Sequence, residues 1–127
     1  MSKKFDELVR VFEVLNSPGG CAWDRKQTHK SLVKYLREES REFIDEVNAG
    51  NARNMKEELG DILLQVMFHA QIAKKQGEFT INDVIDTLIK KLKRRHPHVF
   101  GNKKVKSVRE ILTNWDKIKK MEKKNGN

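Results

Sequence analysis

The sequence is poor in cysteine, proline and long apolar runs. Cys21 is the only cysteine among 127 residues, so no internal disulfide can form, and this usage suits a reducing compartment. The two prolines, Pro18 and Pro97, lie where helices are expected to end. No stretch approaches the roughly 20 apolar residues of a membrane span, and residues 1–10 mix charged with apolar side chains and lack a signal-peptide core. We therefore expect a soluble, cytoplasmic protein that does not act at a membrane.

Helix signals dominate, and the alternation of apolar and polar residues that marks strands is absent. Apolar residues recur at helical spacing in five segments, at about residues 4–15, 31–49, 54–75, 80–96 and 107–118. Thr28, Asn54 and Ser107 are placed to cap helix starts. Gly77 is placed to end the third helix, and we expect the lysine-rich end of the chain to fray. The length fits one domain with a modest core, which self-association would extend. We predict an all-α bundle of about five helices forming a single domain over residues 1–127.

Four carboxylates stand in two pairs of equal spacing, Glu39 with Glu42 and Glu58 with Asp61. Residues three apart on a helix share a face, so two such helices packed antiparallel would bring all four acids together. Clustered carboxylates repel one another and resist burial unless a cation neutralises them. Ligation by oxygen alone suits a hard ion such as Mg²⁺, with Mn²⁺ as a possible substitute. The sequence therefore predicts a metal site between two antiparallel central helices.

The alternative is a solvated or salt-bridged acidic edge, since 35% of the residues are charged. The apolar stripe argues against it, because Glu39 falls within that stripe, seven residues after Leu32 and four before Phe43. Unpaired acids are rarely buried without a reason. Gly60, between Glu58 and Asp61, costs the third helix about 1 kcal/mol relative to alanine. Either close approach of a neighbouring helix or chance accounts for it.

Positive charge is concentrated in the last third of the chain. From Ile89 onward there are 14 basic side chains and 3 acidic ones, and the whole chain has a net charge of +9. An acidic metal centre joined to a basic region is what a metal–polyphosphate ligand requires. Lys91 and Arg95, four residues apart, could clamp phosphates, and Trp115 with Lys119 could combine base stacking with a phosphate contact. Solvated basic residues and a core tryptophan are the alternatives, and the basic region could also bind nucleic acid.

The acids and their surroundings resemble a known family. The run Glu38-Glu39-Ser40-Arg41-Glu42, followed after fifteen residues by Glu58-Leu59-Gly60-Asp61, resembles the EExxE…ExxD signature of the MazG-type nucleoside triphosphate pyrophosphohydrolases, in the all-α NTP pyrophosphatase superfamily. The likeness extends to residues 20–24, 94–100 and 115–119. It is strongest to the amino-terminal half of tandem MazG proteins. Ala22 departs from the proline that close relatives often carry.

The resemblance implies a function and a set of site residues. It implies an enzyme that hydrolyses the α–β phosphate bond of NTPs and dNTPs with Mg²⁺, giving a nucleoside monophosphate and pyrophosphate. We expect a role in nucleotide-pool housecleaning, with alarmone control as the alternative. The resemblance assigns the metal ligands as Glu39, Glu42, Glu58 and Asp61, and Glu38 as the residue that positions or deprotonates water. It assigns nucleotide contacts to Lys91, Arg95, Trp115 and Lys119. A homodimer or higher homo-oligomer is also implied.

Two other protein classes are alternatives to this interpretation. A di-iron or di-manganese bundle also gathers acids from several helices, but such sites usually contain Glu-x-x-His pairs, and no glutamate of this chain has a histidine three residues later. A non-catalytic basic helical module that binds nucleotide or nucleic acid would explain the net charge. It would leave the acids on the core face without a purpose, so we do not expect nucleic acid to be the partner.

Overall fold

The computed structural model describes residues 2–126, and these residues form helices and connecting loops without any strand. The helices are α1 (Lys3–Leu15), α2 (Ala22–Lys26), α3 (His29–Ala49), α4 (Ala52–Lys75), α5 (Ile81–Arg95), α6 (Pro97–Phe100) and α7 (Val108–Lys124). The all-α prediction is confirmed. The five predicted helices correspond to α1, α3, α4, α5 and α7, and the structure adds two short helices in the loops. No helix among the described residues is both long and apolar enough to cross a membrane.

The chain divides into two compact units after Ile81. The first unit contains α1 to α4, and the second contains α6, α7 and all of α5 except its first residue. The single domain predicted over residues 1–127 stays a prediction.

The core of the first unit forms where α1, α3 and α4 meet. Its buried cluster consists of Phe12, Leu32, Met67, Phe68 and Ile72. The rings of Phe12 and Phe68 meet edge to face with centroids 6.1 Å apart, a favourable geometry for an aromatic pair. The buried residues of α4 all lie between Gln65 and Ala73, so the second half of this helix provides its share of the core.

The connection between α3 and α4 reverses the chain within two residues. Gly50 ends α3 with φ of 70°, a left-handed conformation that glycine adopts without strain. Asn51 then caps α4, because its side chain accepts a hydrogen bond from the backbone N–H of Asn54. The prediction that Asn54 itself caps this helix is therefore wrong: Asn54 lies in the first turn and donates to the Glu46 carboxylate at 3.2 Å.

The predicted start of α3 and the predicted end of α4 agree with the structure. Thr28 caps α3 in a reciprocal arrangement, accepting from the Ser31 N–H while the Ser31 hydroxyl accepts from the Thr28 N–H. At the end of α4, Gly77 has φ of 72° and donates to the Lys74 carbonyl, while Glu78 donates to the Ala73 carbonyl. This pair of bonds satisfies carbonyls that have no partner within the helix.

The second unit consists of α5, the short α6 and α7. Ser107 caps α7 by accepting from the Glu110 N–H, as predicted. The expected fraying of the lysine-rich end is wrong, since α7 continues to Lys124. One reason is that Glu122, in the last turns of α7, is buried against two arginines of α5.

Candidate functional site

The hairpin of α3 and α4 brings the four predicted metal ligands together. Glu39 and Glu42 project from α3, and Glu58 and Asp61 project from α4. One carboxylate oxygen from each of the four lies within 4.8 Å of the other three. The equal spacing along each helix and the tight turn between the helices produce this convergence.

The cluster is electrostatically strained as a set of bare carboxylates. Burial, followed by the charges of Asp61 and Glu42, raises the pKa of Glu39 from 4.5 to about 7. The pKa of Glu58 is also raised, first by burial and then by the neighbouring Glu42. One oxygen of Glu39 and one of Glu58 are buried without a hydrogen-bond partner among the described residues. Unpaired buried oxygens of this kind are destabilising unless a donor or a cation meets them.

These features fit a divalent cation. The donors are all carboxylate oxygens, which hard ions such as Mg²⁺ and Mn²⁺ prefer. A cation among them would pair the two unpartnered oxygens and offset the burial and the repulsion that raise the pKa of Glu39. The structure thus provides a cluster of suitable composition, while the role of each acid as a ligand stays a prediction.

Glu38 lies beside this cluster in sequence but not within it. It is exposed on α3 and directly precedes Glu39. Successive helix positions face different directions, so its side chain does not share the face of Glu39 and Glu42. Its predicted role with water stays a prediction.

The second unit brings together the four predicted nucleotide-contacting residues. Lys91, Arg95, Trp115 and Lys119 line one cavity of about 200 Å³, together with Leu92 and His96. The ring of His96 meets the Trp115 ring edge to face at 5.3 Å. An aromatic ring beside three cationic side chains is a chemically suitable surface for a base and its phosphates. Substrate binding by these residues stays a prediction.

Sequence reasoning missed Glu122 as part of this basic region. Its side chain is 7% exposed and forms ion pairs with Arg94 at 2.6 Å and with Arg95 at 2.8 Å. Hydrogen bonds from Arg95 and then Arg94 lower the pKa of Glu122 from 4.5 to about 2. The only sequence signal was an acid isolated among the lysines of α7, because its partners lie far away in the chain.

A second pairing that the sequence did not reveal joins α3 and α4. The Nδ1 atoms of His29 and His69 lie 2.7 Å apart, and the two rings are nearly parallel with centroids 5.0 Å apart. One ring must donate and the other accept, which requires that at least one of them is neutral.

Fold and site together define an all-helical protein that gathers four carboxylates on a helical hairpin as a candidate divalent-cation centre. A family model described as the MazG nucleotide pyrophosphohydrolase domain matches residues 27–100, more than half of the chain, and the chain belongs to this family. The resemblance noted in the sequence is thereby confirmed.

Curated proteins of this family are similar along nearly the whole chain. A Thermotoga maritima protein named nucleoside triphosphate pyrophosphohydrolase/pyrophosphatase MazG is 57% identical over 119 residues, which are 94% of this chain and 45% of that protein. An Escherichia coli K12 protein named nucleoside triphosphate pyrophosphohydrolase is 38% identical over 117 residues, covering 91% of this chain and 44% of that protein. The chain thus spans about half the length or less of the curated relatives it matches.

Among solved structures, a crystal structure of a mazG-related protein from Thermotoga maritima matches with a TM-score of 0.75 and 26% sequence identity. The match covers 91% of this chain and 98% of that one. The helical fold described above is therefore also the fold of a family-related protein.

Proposed function

We propose that this chain is a Mg²⁺-dependent nucleoside triphosphate pyrophosphohydrolase, with Mn²⁺ as a substitute metal. Its substrates are NTPs or dNTPs, and water cleaves the α–β phosphate bond to give a nucleoside monophosphate and pyrophosphate. The observation that carries the proposal is the convergence of four carboxylates within 4.8 Å in a chain of the MazG family. The names of its relatives support the same reaction.

Each predicted residue has a chemical task in this reaction. Glu39, Glu42, Glu58 and Asp61 would hold the cation, which would supply Lewis acidity toward phosphate oxygens and water. Glu38 accepts the proton of the attacking water as a general base. Lys91 and Arg95 neutralise the charge of the leaving pyrophosphate. Trp115 stacks on the base, and Lys119 contacts phosphate.

The test is pyrophosphate release from a panel of canonical and damaged NTPs and dNTPs, with Mg²⁺, with Mn²⁺ and with EDTA. The variant is Glu39→Gln, and the matched control is Asp45→Asn, which removes a charge from an exposed position of the same helix outside the cluster. We expect metal-dependent release of pyrophosphate and monophosphate, a loss of more than about 100-fold in Glu39→Gln and near-normal turnover in the control.

The alternative outcome supports a non-catalytic module. Nucleotide or nucleic-acid binding without turnover, with a steep salt dependence and no effect of Glu39→Gln, would replace the proposed hydrolysis by a binding role of the basic region.

We further propose that the enzyme works in the cytoplasm as a homodimer or higher homo-oligomer, in nucleotide-pool housecleaning. Self-association is supported by large apolar side chains exposed on α3 and α4, among them Ile44 at 55% and Leu59 at 51%. Light scattering coupled to size-exclusion chromatography gives the solution mass directly, and a monomer at micromolar concentration would contradict this part of the proposal.

A further inference from the structure

Arg95 has two different surroundings within the second unit. On one side it lines a cavity of about 380 Å³ that is also formed by Thr87, Lys90, Lys91, Arg94 and Glu122. It also lines the smaller cavity that contains Trp115 and Lys119. Among residues 2–126, Lys91 also lines both of these cavities.

Glu122 holds one edge of the Arg95 guanidinium. Nη2 of Arg95 donates to Oε1 of Glu122 at 2.8 Å, and Nε donates to Oε2 at 3.4 Å. This two-point contact uses the Nε–Nη2 edge of the planar group and fixes its orientation. Nη1 has no hydrogen-bond partner among residues 2–126, so its two N–H donors stay available.

Arg94 holds Glu122 in turn. Its Nε donates to Oε2 of Glu122 at 2.6 Å, so both carboxylate oxygens are engaged and the carboxylate cannot swing away without losing both arginines. Two arginines share one carboxylate, which leaves one positive charge in excess. The nearby Lys91 adds a second positive charge, whereas Lys90 is paired with Asp86 at 2.8 Å.

The geometry points to Glu122 as a positioning residue: it fixes Arg95 so that the free Nη1 edge receives a phosphate group of a polyphosphate ligand. A guanidinium held in place before binding loses less side-chain freedom when the ligand arrives, which favours affinity. The inference rests on the proposed function for the identity of the ligand. It does not depend on turnover, because it concerns the binding of the anion.

Positioning by Glu122 and simple electrostatics predict opposite changes in anion affinity when Glu122 is replaced by glutamine. Replacing Glu122 by glutamine removes a negative charge beside a basic cavity, which by charge alone would tighten anion binding. If Glu122 orients Arg95, the same replacement weakens anion binding, because the neutral amide offers one acceptor oxygen and turns an N–H group toward the guanidinium.

The experiment measures the binding of inorganic pyrophosphate to the full chain by titration calorimetry in EDTA. We expect Glu122→Gln to raise the Kd for pyrophosphate about tenfold. The matched control is Glu110→Gln, which removes the same charge from the same helix at a carboxylate that instead accepts from the Lys106 N–H. We expect its Kd to lie within about twofold of the wild-type value.

A double-variant comparison separates positioning from a general loss of structure. In an Arg95→Ala background, Glu122→Gln is expected to change the Kd by less than about twofold, since the residue it positions is already absent. Glu122→Asp keeps the charge but shortens the side chain by one methylene, and it is expected to weaken pyrophosphate binding less than glutamine does. Circular dichroism verifies the helical content of every variant.

Three results would overturn the inference. The first is pyrophosphate binding by folded Glu122→Gln that is as tight as in the wild type or tighter. The second, which applies if Glu122→Gln does not fold, is wild-type affinity in Glu122→Asp. The third is the absence of pyrophosphate binding by the wild type.

The same measurements test the proposed function separately. If the wild type hydrolyses NTPs while Glu122→Gln retains the wild-type KM and Kd, the function stands and the inference fails. If no NTP is hydrolysed but pyrophosphate binding depends on Glu122, the function fails and the inference stands.

Discussion

At the scale of single residues, Gly20 leaves the least room for a side chain among the glycines that the structure describes. A methyl group on it would lie 2.2 Å from the carbonyl oxygen of Val14 and 2.4 Å from that of Leu15. Both oxygens belong to the end of α1, so relief requires movement of the backbone. We expect Gly20→Ala to lower the free energy of unfolding by more than about 2 kcal/mol in urea titrations.

Gly19 is the matched control for this substitution. A methyl group there meets no atom within 4 Å, so Gly19→Ala should change the free energy of unfolding by less than about 0.5 kcal/mol. Equal stabilities of the two variants would show that the loop adjusts without strain.

The His29–His69 pair makes stability depend on pH. Burial, and then the charge of His29, lower the pKa of His69 below 6.5. A lowered pKa in the folded state means that the stabilisation is complete above about pH 6.5 and is lost as the pH falls below the unfolded value. We expect urea midpoints to decrease as the pH is lowered through this range.

NMR titration of the imidazole protons tests the cause. The pKa of His69 should lie below 6.5 in the wild type and should rise in His29→Ala, which removes the neighbouring charge but leaves most of the burial. A His69 pKa at or above its ordinary value in the wild type would contradict this explanation of the pH dependence.

At the scale of helices and turns, the α3–α4 connection depends on Asn51. Its side chain accepts from the Asn54 N–H, so Asn51→Ala should destabilise the protein by about 1 kcal/mol. Asn54→Ala is the informative comparison, and we expect a change within about 0.5 kcal/mol because that residue lies inside the helix. If thermal or urea unfolding showed a larger loss of stability in Asn54→Ala than in Asn51→Ala, Asn54 would be the cap.

Helix positions were predictable because the apolar spacing is a local signal, and the capping of α3 by Thr28 was predictable for the same reason. The start of α4 was not predictable, since asparagine occurs at positions 48, 51 and 54 and each of these residues could cap a helix. The left-handed Gly50 decides between them by setting where the chain turns. The full length of α7 was also missed, because the contact of Glu122 with α5 is not encoded in the neighbouring residues.

At the scale of the whole molecule, binding of a cation to the four-carboxylate cluster should stabilise the fold. If Mg²⁺ is present at about 100 times its Kd, the expected gain is about 2.7 kcal/mol. Thermal unfolding with increasing MgCl₂ should therefore show a rising Tm in the wild type and in Asp45→Asn. The Tm of Glu39→Gln should respond far less, and an equal response of all three proteins would indicate a nonspecific salt effect.

The candidate site was predictable in part. The two carboxylate pairs could be predicted because helical spacing and a short connection determine which residues meet. The ion pair between Glu122 and Arg95 could not be predicted, since tertiary packing brings together residues that are 27 apart in the chain. The ligand roles, the contribution of Glu38 and the nucleotide contacts remain predictions that the experiments above address.

The uneven burial of α4 has a consequence for local opening. Its buried residues lie from Gln65 to Ala73, whereas Glu58, Gly60 and Asp61 lie in the earlier half, where like charges repel and glycine weakens the helix. Backbone amides near residues 58–61 should therefore exchange with deuterium faster than those near residues 67–72. A cation joining α3 to α4 would slow deuterium exchange selectively in the earlier half of α4. The first half of α4 would then be stabilised by its ligand and the second half by the hydrophobic core.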